Sequence, residues 1–261
     1  MDPARATHRD VTRREFARQA ASFERAGSLF RAVDILEWIG AHVPLTAADV
    51  VLDVAGGTGQ LARHLARSAA FAVVVDLTAE MLQTGARSAQ DAGDRNVVFV
   101  EGDATRLPFP PEQFDVVVSR FALHHVDDVV AAAREMARVC RPGGAVAIID
   151  LVAQDGEVGA RHNELERLRD PSHARALEES ELVGLLAGAG VRASVVAERE
   201  QELPVAAWLD QSAPGEAERE LVLAAFEAEA AGGPATGLRV RRDEAELVMK
   251  QRWLIVGGVR P

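Results

Sequence analysis

From Val50 to about Asp150 the chain alternates short, continuous apolar runs with longer stretches in which apolar residues return every three or four positions. The short runs suit strands buried on both faces and the periodic stretches suit helices. Their alternation is that of parallel β-α units wound on both sides of one sheet. It predicts strands over Val50–Val54, Phe71–Val75, Val97–Val100, Phe114–Val118 and Ala145–Leu151, and helices over Gln60–Arg67, Ala79–Ala92 and Val129–Cys140. Pro142-Gly-Gly144 stops the last of these helices before the next strand begins.

The flanks read differently. Phe16, Ala20 and Phe23, then Phe30, Val33 and Leu36, stand at helical spacing with an interruption near Gly27-Ser28, which predicts a helical cap over residues 10–42. These aromatics are expected to pack in the core, as are Trp208 and Trp253. After Asp150 the chain turns polar from Gln154 to Pro171, a stretch read as a mobile segment in which His162 and His173 are surface or lid residues. A helix near Glu178–Ala187 ended by Gly188-Ala-Gly190, a strand near Val191–Ala197, helices within Leu203–Ala231 and a last strand over Arg252–Gly257 complete the pattern. One domain over 1–261 is expected, with a cofactor-binding core at 45–152, the rest of the sheet in 153–261 and a lid-like insertion at 203–250.

The first strand runs directly into a glycine-rich turn, Val51-Leu-Asp-Val-Ala-Gly-Gly-Thr-Gly59. Glycines there let backbone N–H groups approach a ligand without obstruction from Cβ. Alone the turn is ambiguous: it is also a common tight connection, and Gly57-x-Gly59-x-x-Ala62 satisfies a loose dinucleotide fingerprint. Three further features fall at the same strand ends. Asp76 closes the second strand seventeen residues after Gly59, where a carboxylate can accept from both hydroxyls of a ribose. Gly102-Asp103-Ala104 offers the side-chain acceptor and backbone donor that an adenine requires. Phe114-Asp-Val-Val-Val-Ser119 leads into Arg120-Phe-Ala-Leu-His-His-Val126 at the crevice where open α/β sheets bind ligands. Helix capping is the alternative role for Asp76 and Asp103.

Taken together these segments resemble the class I S-adenosylmethionine-dependent methyltransferases, in particular the small-molecule branch of the ubiquinone and menaquinone biosynthesis methyltransferases. The resemblance rests on Asp53–Gly59, Val75–Leu82, Glu101–Phe109, Phe114–His125 and Arg141–Gly144 in family order and spacing, and it covers residues 45–152. It implies a Rossmann-like, doubly wound, seven-stranded sheet with its last strand antiparallel. It also implies roles: Asp53 with the backbone of Ala55, Gly56, Gly57 and Gly59 would surround the methionine end of S-adenosylmethionine, and Asp76 would hold the ribose. Leu77 and Met81 would flank the adenine, Gly102, Asp103 and Ala104 would read its edge, and Ser119 with Phe121 would line the methionine arm. Gly56 departs from the pattern, since many relatives carry cysteine there.

Composition narrows the partners. With 261 residues and 48% hydrophobic composition the chain can bury a substantial core, and its net charge of −11 with a single lysine, Lys250, argues against a nucleic-acid surface and for a small-molecule substrate. Cys140 is the only cysteine, which excludes an internal disulfide and a cysteine-rich metal site and fits the cytoplasm. No metal-ligand set, export signal or membrane span is read, and the sequence does not fix the oligomeric state.

Methyl transfer is an in-line displacement for which a base is optional, and His124 and His125 are the candidates, His124 first. The expected activity is methylation of a small organic acceptor at oxygen, carbon or nitrogen. Two alternatives stay open: an enzyme such as a cyclase that keeps the S-adenosylmethionine site without transferring the methyl, and a nicotinamide-dependent oxidoreductase.

Overall fold

The computed structural model describes residues 7–24 and 32–261. Phe30 and the Gly27-Ser28 interruption lie outside the described residues. Helix α1 (His8–Phe23) opens with a capping box in which Thr7 and Asp10 satisfy each other's backbone N–H groups, and α2 (Val33–Gly40) follows. The sheet then grows through β1 (Val50–Val54), α3 (Gln60–Leu65), β2 (Phe71–Asp76), α4 (Ala79–Ala92), β3 (Val97–Glu101), β4 (Phe114–Arg120), α5 (Val129–Val139) and β5 (Cys140–Leu151). The remaining elements are α6 (Gly156–Arg169), α7 (Glu179–Gly188), β6 (Arg192–Pro204), α8 (Val205–Ser212), α9 (Glu216–Ala230), β7 (Arg241–Asp243) and β8 (Glu246–Val259).

Strand order is β3-β2-β1-β4-β5-β8-β6. The first five strands are parallel and β8 runs antiparallel between β5 and β6. The order reverses between β1 and β4, so the carboxyl ends of those strands flank the crevice where such sheets take ligands. The seven expected strands are therefore present, and the eighth is the short β7, which pairs with β8 through a tight turn.

Each parallel strand buries both faces. Val51 of β1 packs with Leu61, Val74 and Val118 on one side of the sheet, while Leu52 and Val54 pack with Val73, Val117 and Ile148 on the other. A third cluster of Leu165, Trp208, Val222 and Phe226 holds α6, α8 and α9 together beside the end of β8.

Three differences from the sequence reading have physical causes. β5 begins at Cys140, because Phe114 already pairs with Cys140 and the Pro142-Gly-Gly144 turn sits inside the strand as an irregularity. β6 runs to Pro204 instead of ending at Ala197. Beyond Ala197 its residues are charged on the outward face, and backbone pairing with β8 continues without an apolar run to announce it. The polar stretch Gln154–Pro171 is mostly the helix α6, whose buried face includes polar side chains.

Ile148 is fully buried in the middle of the sheet. Ile148→Ala is expected to lower stability to chemical denaturation by about 2–5 kcal/mol, whereas Val196→Ala on the exposed edge should stay within about 0.5 kcal/mol.

Candidate active site

At the end of β1 the chain turns through Ala55, Gly57 and Gly59, all with left-handed backbone (φ 52°, 57° and 72°). Asp53 is buried beneath this turn. Its Oδ2 accepts from the Ala62 N–H at 3.2 Å, and its Oδ1 has no partner among the described residues. Burial pushes its pKa up to about 7, with the Arg120 charge offsetting only part of the penalty. A Cβ on Gly56 would lie 2.7 Å from the Asp53 carboxyl carbon, so glycine at that position follows from the buried acid.

Asp76, at the end of β2, ties the turn from the other side. Its Oδ2 accepts from the Gly57 N–H at 2.9 Å and its Oδ1 from the Thr78 N–H at 2.8 Å, while burial raises its pKa against those bonds. Thr78, and not Asp76, stands at the N-cap position of α4. Asp103 closes a small turn by accepting from the backbone and hydroxyl of Thr105, and its Oδ2 pairs with Arg9 of α1 at 2.7 Å.

A cavity of about 280 Å³ opens between these groups. Ala55, Gly56, Gly57, Asp76, Leu77, Met81, Gly102, Asp103, Ala104, Phe121 and His125 all line it, and His8, Arg9, Thr12 and Phe16 of α1 cover it. Asp53, Gly59 and Ser119 lie behind its wall; the Ser119 hydroxyl is buried and, among the described residues, unpartnered.

A second cavity of about 350 Å³ adjoins the first, and Phe16, Phe23, Phe121 and His125 line both. Phe121 follows β4 with φ 49°, a strained setting for a large side chain, and its ring lies 4.7 Å from that of Trp253. His124 lines only the second cavity. Its Nδ1 meets Asp150 Oδ1 at 2.6 Å and its N–H donates to Asp150 Oδ2 at 3.2 Å, leaving Nε2 without a partner among the described residues. Burial alone would lower the His124 pKa, but the charge and hydrogen bond of Asp150, with Glu166 and Asp170 beyond, raise it above the ordinary value. His125 behaves oppositely: burial and the neighbouring His124 push it down to about 4, and its Nδ1 lies 3.0 Å from both the carbonyl and the hydroxyl oxygen of Ser172.

The two histidines read as surface residues are not on the surface. His162 and His173 are 2% and 3% exposed. His173 Nε2 contacts Asn163 Oδ1 at 2.8 Å, and His162 stands 3.5 Å from the buried Glu166. Helix α6, which carries His162, lacks an apolar stripe because it packs through such polar contacts, and His173 lies in the loop that follows it. Asp150 was not singled out in the sequence, although it ends a buried strand just as Asp53 and Asp76 do, and that shared position is the signal that could have found it. Arg169, Gln19 and the α1 residues His8 and Arg9 carried no such signal.

Residues 52–148 match the profile of a methyltransferase domain. This segment of the chain is similar to a methyltransferase domain. Among curated relatives, the uncharacterized methyltransferase YcgJ of Bacillus subtilis is 40% identical over 50% of this chain and 52% of its own length. A ubiquinone/menaquinone biosynthesis C-methyltransferase of Coxiella burnetii is 42% identical over 38% of this chain and 42% of its own. The chain thus spans about half the length of the curated relatives it matches. The crystal structure of the Bacillus YcgJ protein superposes with a TM-score of 0.80 and 25% identity, covering 87% of this chain and 98% of that one. The matched residues 52–148 contain the turn, Asp76, Asp103 and Phe121, whereas Asp150 and the tail-side wall of the second cavity lie past their end.

The His124–Asp150 pair generates a pH-dependent stability term. Because His124 is raised in the fold above its reference value of 6.5, the pair stabilises fully below pH 6.5 and loses effect as pH rises through the raised value. Asp150→Asn should therefore destabilise by about 1–3 kcal/mol in mildly acidic buffer and by less in alkaline buffer, as read by denaturant titration at several pH values.

Proposed function

We propose that this protein transfers a methyl group from S-adenosylmethionine to a small organic acceptor at oxygen, carbon or nitrogen. One observation carries the reading: the cavity between the glycine turn, Asp76 and Asp103 shares a neck at Phe121 and His125 with a second cavity that His124 lines. The residues present fit the cofactor, since among the described residues the buried Asp53 Oδ1 and Ser119 hydroxyl lack partners next to the turn. When bound, S-adenosylmethionine supplies an electrophilic methyl on a sulfonium. Asp53 and the turn Ala55–Gly59 would hold its methionine end, with Ser119 and Phe121 alongside. Asp76 would take the ribose, Leu77 and Met81 the faces of the adenine, and Gly102, Asp103 and Ala104 its edge.

The chain's own contribution is alignment and proton handling. Holding two reactants in line can supply on the order of 7–11 kcal/mol of the barrier. Neutral His124, its Nδ1 fixed by Asp150, would take the acceptor's proton on Nε2. His125 stays neutral and shapes the neck. Helices α1, α6 and α8 wall the second cavity and would exclude water from the acceptor, the lid role expected of the segments outside 45–152. The net charge of −11 supports a small molecule over nucleic acid, and the lone, buried Cys140 supports a cytoplasmic setting and a single unit without disulfides. Among the described residues no helix is long and apolar enough to cross a membrane. The quinone-pathway relative aligns over 38% of this chain, so its acceptor chemistry bears on the cofactor half and leaves the acceptor open.

Mass spectrometry of reactions with an acceptor panel should show S-adenosylhomocysteine formed together with a product heavier by one methylene. Binding of a nicotinamide cofactor without S-adenosylmethionine would overturn the reading, and tight S-adenosylmethionine binding with no turnover on any acceptor would favour a cyclase-like use of the site. Asp76→Asn is expected to weaken S-adenosylmethionine binding by about 10-fold or more. His124→Gln should lower kcat by about 10²-fold or more at unchanged cofactor affinity, and the wild-type rate should climb with pH until His124 is neutral, at a pH above 6.5.

A further inference from the structure

The second cavity has an uneven supply of hydrogen-bonding groups that methyl transfer itself does not use. Near the neck its wall is aromatic, with Phe16, Phe121 and Trp253. Gln19 of α1, Arg169 of α6 and Trp208 of α8 also line the cavity. Gln19 is 9% exposed and Trp208 2% exposed, and neither the Gln19 Nε2 nor the Trp208 Nε1 has a hydrogen-bond partner among the described residues. The Arg169 guanidinium lies 4.5 Å over the Trp208 ring, and Phe226 stacks on that ring at 5.5 Å, so the indole is packed on its faces and its N–H is left at the edge.

Arg169 is itself under-coordinated. Its side chain is 11% exposed, yet its contacts are long: Nε to Glu166 Oε2 at 3.4 Å, Nη1 to the Trp208 carbonyl at 3.4 Å and Nη2 to Asp170 Oδ2 at 3.8 Å. Charge-assisted bonds from a guanidinium ordinarily close to about 2.7–2.9 Å. The carboxylates beside it have donors of their own. Asp170 accepts from the backbone N–H and hydroxyl of Ser172 at 2.9 and 2.5 Å and from the Ser212 hydroxyl at 3.1 Å, and Glu166 accepts from Gln251 at 3.3 Å. Three helices therefore bring surplus donors to one cavity, and a buried surplus of donors is made good by an oxygen acceptor.

The geometry points to an acceptor molecule with a flat apolar body and a carboxylate or carbonyl oxygen at one end, bound by Gln19, Arg169 and Trp208, with the atom to be methylated toward the neck at Phe121 and His125. This assignment rests on the methyl-transfer reading, since it takes the second cavity as the acceptor's. An ammonium at the same end would face N–H groups and a guanidinium. Cavities of this size, near the lower end of small-molecule sites, suit one ring with its substituents.

Two of the three tryptophans, Trp208 and Trp253, line this cavity, so intrinsic fluorescence reports its filling. Benzoate, benzamide and benzylamine are titrated into protein saturated with S-adenosylhomocysteine, whose own binding is measured by calorimetry in every sample. Benzoate or benzamide is expected to bind about 10-fold or more tightly than benzylamine, and the preference between those two separates a carboxylate from a carbonyl. Arg169→Met should weaken the better probe by about 10-fold or more. Trp208→Phe and Gln19→Met, which keep packing while deleting a donor, should each weaken it by about 3- to 10-fold and leave S-adenosylhomocysteine affinity unchanged. Tighter binding of benzylamine, no binding of any probe, or affinities untouched by the latter two variants would overturn the oxygen-pole assignment while cofactor binding stands. Failure of S-adenosylhomocysteine to bind would remove the methyl-transfer reading itself, and the assignment with it.

Discussion

The carboxylate of Asp53, buried at the end of β1 with one oxygen unpartnered among the described residues, is the constraint around which the crevice is arranged. A buried carboxyl is costly unless hydrogen bonds or a counter-charge meet it. Here the Ala62 N–H of α3 meets one oxygen and Arg120 supplies a partial field, which leaves the carboxyl titrating near 7. A Cβ at position 56 would crowd this group, and the chain turns over it through Ala55, Gly57 and Gly59 in left-handed geometry. Asp76 fastens that turn from β2 through the Gly57 N–H. The parallel register of β1 with β2 and β4 brings Asp53, Asp76 and Phe121 to one edge, so the fold and the cavity have a common origin.

The second cavity is built on a different principle. Its polar groups come from helices that pack through one another's side chains: Asn163 of α6 donates to the Ala176 carbonyl and accepts its N–H, while Asp170 gathers Ser172 and Ser212. Networks of this kind are rigid when satisfied and costly when one member is left over. The members left over, Gln19 and Trp208 with the loosely held Arg169, all line this cavity. His124 lines the same cavity beside His125 of the neck.

The core was legible because strands buried on both faces announce themselves as continuous apolar runs, and Val50–Val54, Ala79–Ala92 and the glycine turn fall where the sequence puts them. Elements held by polar contacts were not. Helix α6 buries His162, Asn163 and Glu166, so its sequence carries no amphipathic stripe, and β6 extends through Glu198–Glu202 on backbone pairing and on ion pairs of Glu198, Glu200 and Glu202 with Arg252, Lys250 and Arg241. The left-handed backbone at Phe121 cannot be read from a residue type that normally avoids it. Of the candidate site residues, those on the strand ends were visible from the position of acids and glycines after apolar runs. Those contributed by α1, α6 and α8 become visible only once the chain has brought them together.

The role given to Asp53 is tested most directly by calorimetric titration of S-adenosylhomocysteine at pH 7 in buffers of different ionisation heat. A carboxyl raised to about 7 is partly protonated there and ionises when a cationic amino group is held beside it, so binding at one site per chain should release protons, and Asp53→Asn should abolish that release. Binding with no proton release, or with the same release in Asp53→Asn, would contradict the placement of this carboxylate at the centre of the site.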